Sequence, residues 1–259
     1  MKSIAIIPAR MGSSRFPGKP MQKIHGVPMI GHCYFRTKMC EDLFATYVAT
    51  CDQEIYDYIK SIDGNVVMTS PSHEMACDRA SEAMIKIEEE INSKVDVVVM
   101  VQGDEPMVTP EMITESLKPL KLDPLVNIVN LMSNIDTIEE FENPNEVKVV
   151  IDNISNALYF SREAIPSQKK FTSKFPMLKQ VCIIPFRREY LLKFNAMART
   201  NLEIIESIDM LRVLENGEKI RMVMTNINSL SVDTEYDLMR VKKAMINDQL
   251  MNKYSEEKL

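Results

Sequence analysis

Two features of this sequence are suited to chemistry on phosphates: a cation-rich loop with small residues, and a carboxylate placed just after an apolar run. The stretch Ile7-Pro8-Ala9-Arg10-Met11-Gly12-Ser13-Ser14-Arg15-Phe16-Pro17-Gly18-Lys19-Pro20 puts Arg10, Arg15 and Lys19 within ten residues. Gly12, Ser13 and Ser14 let backbone N–H groups approach an anion, and Gly18 permits a tight turn. Such a loop could hold a triphosphate, although its spacing is not that of a GxxxxGK[ST] phosphate loop. A surface loop with merely solvated charges fits the composition equally well. The second feature is Val97-Val98-Val99-Met100-Val101 followed by Gln102-Gly103-Asp104-Glu105-Pro106. A carboxylate just past a buried strand faces the crevice where open α/β folds bind ligands. Mg²⁺ takes a few carboxylates and leaves its other positions to water and phosphate oxygens, so Asp104 is a metal candidate. Gln102 could read a base or a ribose. A simple turn is the alternative. In Ser231-Val232-Asp233-Thr234-Glu235-Tyr236-Asp237-Leu238, Thr234 suits a helix N-cap and the acids after it suit the helix dipole. Spacing alone does not make Asp233 a metal ligand.

Elements must position these residues. Strand-length apolar runs at 3–8, 46–50, 65–69 and 95–101 alternate with helical patterns at 29–38, 54–62 and 78–91. That order predicts an α/β fold with a parallel sheet covered by helices. The later half reads differently, with strands at 125–135, 146–152, 157–161, 180–186 and 219–225 and helices at 202–214 and 235–250. The polar, basic stretch 168–174 reads as a mobile loop, and the charged tail 252–259 as fraying. No linker separates two domains. The expectation is a single domain over 1–259, with a nucleotide-binding half at about 1–124 and a β-rich inserted segment at about 125–200.

The chain has 259 residues, 31 basic against 37 acidic, for a net charge of -6. This balance argues against general binding to nucleic acid or an anionic membrane surface. No apolar run approaches the ~20 residues of a membrane-spanning helix. Nor does the N-terminus carry a signal-peptide core. Cys33, Cys40, Cys51, Cys77 and Cys182 form no CxxC pair, which is consistent with reduced thiols in the cytoplasm. A nucleophilic role for Cys77 has no nearby base except His73, so a structural thiol is expected. His25 and His32 read as structural or surface residues. The methionines, Met75, Met84, Met100, Met107 and Met112 among them, read as core filler.

Taken together, the motifs resemble the cytidylyltransferases that activate acidic sugars, above all the CMP-Kdo synthetases, whose sugar is 3-deoxy-manno-octulosonate (Kdo). The resemblance rests on residues 6–20, ATCD at 49–52, DR at 78–79 and VQGDEPM at 101–107. It continues with NPNEVKVV at 143–150, ALYFSREAIP at 157–166, the motif at 202–220 and VDT-x-x-DL at 232–238. It implies a Rossmann-like, mixed but mostly parallel sheet flanked by helices, with the inserted segment serving dimerisation. It implies that Arg10, Ser13, Arg15 and Lys19 bind the CTP phosphates, that Gln102 contacts the cytidine side and that Arg79 lines the nucleotide pocket. Asp104 and Asp233 would be Mg²⁺ ligands, and Arg10, Lys19, Asp104 and Asp233 the catalytic set. Arg162 would lie near the sugar. The implied reaction is attack of the sugar's anomeric hydroxyl on the α-phosphorus of CTP with release of pyrophosphate. The implied setting is a cytoplasmic homodimer serving lipopolysaccharide or capsule synthesis.

The sequence departs from the family where the sugar is expected. Met75-Ala76-Cys77 stands where Ser-Gly-Thr or Ser-Gly-Ala is usual, Gln180 where a His precedes the Gly-Ile-Tyr strand, and Asp209-Met210 where Glu-Gln is usual. Gln180, Asp209 and Met210 are therefore candidate sugar-side residues. A hydroxyl-rich sugar binds ~1–3 kcal/mol worse for each buried polar group left unpaired. Another ulosonic acid, or a sugar or polyol phosphate held by Lys169 and Lys170, is thus an alternative acceptor. A non-enzymatic nucleotide-binding paralogue is a further alternative, against which the retained Arg10, Arg15, Lys19, Asp104 and Asp233 argue.

Overall fold

A computed structural model describes residues 1–12, 15–167, 175–227 and 229–255. In chain order the elements are β1 (Ser3–Ala9), a 3₁₀ turn at Lys19–Met21, β2 (Lys23–Ile24), β3 (Val27–Pro28), α1 (Met29–Lys38), β4 (Ala45–Thr50), α2 (Gln53–Ser61), β5 (Val66–Met68), α3 (Ala76–Glu90) and β6 (Val97–Val101). There follow α4 (Pro110–Leu122), β7 (Val129–Asn134), α5 (Ile138–Glu142), β8 (Lys148–Ile151), β9 (Ala157–Ser161), β10 (Leu178–Val181) and β11 (Ile183–Arg187). The chain continues through α6 (Arg188–Ala196), α7 (Asn201–Glu206), α8 (Leu211–Glu215), β12 (Arg221–Met224), α9 (Glu235–Ala244) and α10 (Gln249–Ser255).

The chain forms two compact units, residues 1–114 with 229–259 and residues 115–228. The sequence places the inserted segment at about 125–200, whereas the second unit begins inside α4 and runs to residue 228. In the first unit the strands run β6-β1-β4-β5, all parallel. Residues 4–7 of β1 and all of β6 are fully buried, as strands covered on both faces require. The chain crosses from β1 outward to β4 and β5, then returns to place β6 on the other side of β1. The strand order therefore reverses between β1 and β6, where ligand crevices form beyond the strands' carboxyl ends. In the second unit the order is β12-β7-β10-β8-β9; β12 is parallel to β7 and the remaining pairs are antiparallel.

Several elements differ from the sequence reading. Helix α4, which carries Pro110 and Pro119, has no counterpart in it. Pro110 is the first helical residue, where a missing N–H costs nothing, and only Pro119 removes an internal hydrogen bond. Helix α6, α5 and the β2–β3 hairpin were also not anticipated. In that hairpin His25 and Gly26 both adopt positive φ, the geometry of a two-residue turn. The expected strand at 180–186 divides at Cys182 into β10 and β11. The expected helix at 202–214 divides where Ser207 turns left-handed at φ 55°. The expected helix at 235–250 divides into α9 and α10, and the tail does not fray through residue 255: Tyr254 is buried. The loop 168–174, with Lys169 and Lys170, lies outside the described residues.

Candidate active site

The loop after β1 is closed by its own backbone. Gly18 N–H donates to the Met11 carbonyl at 3.1 Å, with Gly18 left-handed at φ 70°. Gly18 then caps the 3₁₀ turn whose first residue is Lys19, and its carbonyl accepts the Met21 N–H at 3.0 Å. Lys19 is thus presented from a short turn. The loop after β6 is held differently. A Cβ on Gly103 would lie 2.9 Å from the Pro8 carbonyl oxygen and 3.4 Å from the Ala9 Cβ. Only glycine lets this loop pack against the end of β1, and the packing sets Asp104 beside Lys19. The chain before α9 is tied to the same point by Val232 N–H, which donates to the Asp104 carbonyl at 3.0 Å. Asp237 completes the arrangement: its carboxylate accepts the N–H groups of Asp233 and Thr234, while Thr234 Oγ1 caps the helix at Asp237 N–H. The expected cap at Thr234 therefore also orients Asp233.

The charged groups converge. Lys19 Nζ lies 2.8 Å from Asp104 Oδ2 and 3.2 Å from Asp233 Oδ1, and Arg15 Nη2 lies 3.0 Å from the same Asp233 oxygen. Burial pulls the Lys19 ammonium's pKa down, but the two carboxylates outweigh it and hold the pKa above its usual value. Two carboxylates aimed at one cation supply the hard oxygen donors that Mg²⁺ takes. Two carboxylates would leave the rest of such an ion's shell to water and phosphate oxygens.

Arg15, Lys19 and Asp104 open on a cleft of about 270 Å³ lined also by Arg10, Arg79 and Gln102, with Pro8, Ala9, Pro20, Gly103 and the segment 74–76. Arg79 is almost fully buried. Its guanidinium donates to Thr69 Oγ1 and, at 3.4 and 3.5 Å, to the Ser70 and His73 carbonyls. It therefore braces the segment that carries Glu74 and Met75 to the cleft. Ser13 lies outside the described residues.

Comparison with known proteins decides the family. The cytidylyltransferase family profile matches residues 4–220. A 3-deoxy-manno-octulosonate cytidylyltransferase of Geobacter metallireducens is 40% identical over 96% of this chain and 100% of its own. One of Geobacter sulfurreducens is 41% identical over 93% of this chain and 98% of its own. The solved structure of a CMP:2-keto-3-deoxy-manno-octonic acid synthetase complexed with CTP superposes with a TM-score of 0.85. It shares 35% identity and covers 95% of this chain and 98% of that one. This chain belongs to the 3-deoxy-manno-octulosonate cytidylyltransferase family. It is a nucleotidyltransferase, with the α/β fold its sequence implies.

In this cytidylyltransferase the remaining candidates lie in the second unit. Arg162 spends its guanidinium on carbonyls: Nε on Glu206 at 2.7 Å, Nη1 on Pro144 at 3.0 Å and Nη2 on Ser207 at 3.3 Å. Gln180 donates through Nε2 to Asn130 Oδ1 at 2.6 Å. Asp209 is half-buried, and Met210 is fully buried just before α8. Of the methionines read as core, Met84, Met100 and Met112 are fully buried, but Met75 lines the cleft. Cys77 is buried with its Sγ 3.8 Å from Met100 Sδ. The buried Cys33 thiol, whose pKa burial pushes well up, donates to the Gly103 carbonyl at 3.4 Å and so packs beneath the Asp104 loop. Met75 reads as core by its residue type, while the family resemblance sets 75–77 where the sugar is expected, and it lines the cleft. Asp237 belongs to the motif at 232–238, but its place three residues after Thr234 reads only as a helix start, and its positioning role comes from the structure.

Proposed function

We propose that this enzyme couples CTP to 3-deoxy-manno-octulosonate, forming the CMP-sugar and pyrophosphate. The anomeric oxygen of the acid bonds to the α-phosphorus, the bond from that phosphorus to the bridging oxygen breaks, pyrophosphate leaves and the hydroxyl proton is released. The observation that carries the reading is a cleft that presents Lys19, Arg15 and Asp104 together with Arg10, Arg79 and Gln102, with Asp233 paired to Lys19 and Arg15. Arg10, Arg15 and Lys19 bind the triphosphate, and their charge offsets the charge that grows on the leaving group. Gln102 hydrogen-bonds the cytidine, and Arg79 keeps the 74–76 wall in place. Asp104 and Asp233 would hold Mg²⁺, which when bound supplies positive charge to the phosphates. Chelation is expected to stop turnover and added Mg²⁺ to restore it.

We place the enzyme in the cytoplasm, as a homodimer through its second half, supplying lipopolysaccharide or capsule synthesis. The reading is tested by pyrophosphate release across four nucleoside triphosphates and a panel of ulosonic acids. Release with CTP and Kdo is expected; no release with that pair, while CTP still binds, overturns it. A second reading, another 2-keto-3-deoxy acid, is favoured by the engaged Gln180 amide and the buried, apolar Met210. Release with CTP only for a different acid would select it.

A further inference from the structure

The motif Ala49-Thr50-Cys51-Asp52 takes no part in the roles assigned so far, yet Asp52 behaves unusually. It occupies the N-cap position of α2, with extended φ and ψ of -106° and 126°. An Asp there ordinarily accepts a hydrogen bond from the second or third helical N–H. Asp52 makes no such bond. Its Oδ2 instead accepts the Met11 N–H at 2.8 Å, reaching across to the first turn of the loop after β1. Met11 is the residue whose carbonyl receives Gly18, and Gly18 caps the turn that presents Lys19.

The other side of Asp52 is anchored as well. Its N–H donates to Thr50 Oγ1 at 3.1 Å. The Thr50 carbonyl accepts both the N–H and the Oγ1 of Thr69, at 2.8 and 3.1 Å. Thr69 Oγ1 in turn accepts from Arg79. A continuous path of hydrogen bonds thus joins the cationic loop to the arginine on the opposite wall, and Asp52 is its link across the ends of β1 and β4. A carboxylate beside a triphosphate site works against binding through Coulomb repulsion. What Asp52 contributes there is therefore geometric.

We propose that Asp52 is a positioning residue for the nucleotide phosphates: by holding Met11 it fixes the Gly18 turn and Lys19 relative to Arg79. The inference rests on the CTP reading above. It predicts that affinity for CTP depends on Asp52 while folding does not.

The experiment uses the full chain with Asp52→Ser, Asp52→Asn and Asp52→Ala. Serine is a good N-cap but too short to hold Met11, so Asp52→Ser keeps the start of α2 while cutting the link. Its melting temperature is expected to match the parent. Its dissociation constant for CTP in the presence of Mg²⁺, by calorimetry, is expected to rise on the order of tenfold, the effect of one lost charge-assisted hydrogen bond. The KM for CTP should rise with it while the KM for the acid stays put. Asp52→Asn, whose amide oxygen can still accept from Met11, should restore most of the affinity, and Asp52→Ala should not. Unchanged CTP binding in Asp52→Ser overturns the proposal. So does a loss of affinity that tracks a fall in melting temperature across all three variants, since Asp52 would then serve folding alone. Failure of the parent enzyme to bind CTP would overturn the CTP reading first, and is seen before any variant is made.

Discussion

A lysine set between two carboxylates is stable while all three are charged. With its pKa held above the unfolded value of 10.5, Lys19 contributes stability that is fully present below about pH 10.5 and is lost as pH rises through the raised value. At physiological pH the trio is intact, and removing one carboxylate leaves Lys19 the other. Asp104→Asn is therefore expected to fold with little change in melting temperature. Its pyrophosphate release should fall on the order of 10²–10³-fold, the usual cost of losing one group that stabilises developing charge. Near-normal turnover in a folded Asp104→Asn would remove Asp104 from the mechanism. At this scale Asp104 was legible, because a carboxylate straight after a buried strand has one direction to face. Asp233 was not legible from spacing, because its approach to Asp104 depends on the Val232 N–H reaching the Asp104 carbonyl, a contact between distant segments that no local pattern encodes. Gly103 read as a turn residue, while its tight packing on Pro8 is a tertiary fact.

Elements with a strong, unbroken pattern were readable: the expected helix at 29–38 coincides with α1, and the apolar runs 3–8 and 95–101 contain β1 and β6 almost whole. What failed was punctuation. Ser207 and the break before Gln249 divide amphipathic stretches whose period alone reads as continuous. Helix α10 illustrates the cost of misjudging an end. Its Tyr254 hydroxyl lies 2.7 Å from His32 Nδ1, and His32 Nε2 lies 2.8 Å from the Ile24 carbonyl. That carbonyl can only accept, so Nε2 carries the proton and Nδ1 accepts from the tyrosine. Burial lowers the His32 pKa to about 4. The unfolded chain then binds an extra proton between pH 6.5 and about 4, so stability is full above 6.5 and falls with pH across that window. The loss is on the order of 3 kcal/mol by pH 4. Urea denaturation at a series of pH values should show this slope, and His32→Gln should flatten it. A parent protein equally stable at pH 6.5 and 4.5 would refute the neutral buried histidine.

At the scale of the molecule, the first unit is discontinuous in sequence: residues 229–259 return to it after the second unit is complete. What makes the return binding is an apolar cluster in which Phe16, Ile24 and Met29 meet Val232, Leu238, Val241, Met245, Met251 and Tyr254. Besides the Asp233 pairs with Lys19 and Arg15, a buried charge pair accompanies it. Arg36, almost fully buried in α1, donates to the Val108 carbonyl at 2.7 Å and pairs with Asp248 at 2.8 Å. Burial pushes the Asp248 carboxyl's pKa up, but hydrogen bonds from Arg36 and from Met251 N–H outweigh it and hold the pKa below its usual value. Its contribution is therefore present above about pH 3.8 and lost as pH falls through the lowered value, on the acid side of the His32 window. Breaking a buried pair from one side leaves the other charge without a counter-ion, at a cost of roughly 3 kcal/mol or more. Asp248→Asn should therefore lower the urea midpoint with an unchanged slope. Truncation after Met245, which also strips Met251 and Tyr254 from the cluster, should cost more. If Asp248→Asn unfolds within about 0.5 kcal/mol of the parent, the span expected of a surface change, the Arg36 pair is not what fastens the returning segment. The apolar cluster and the Asp233 contacts would then hold it, and the truncation should still destabilise by nearly its full amount.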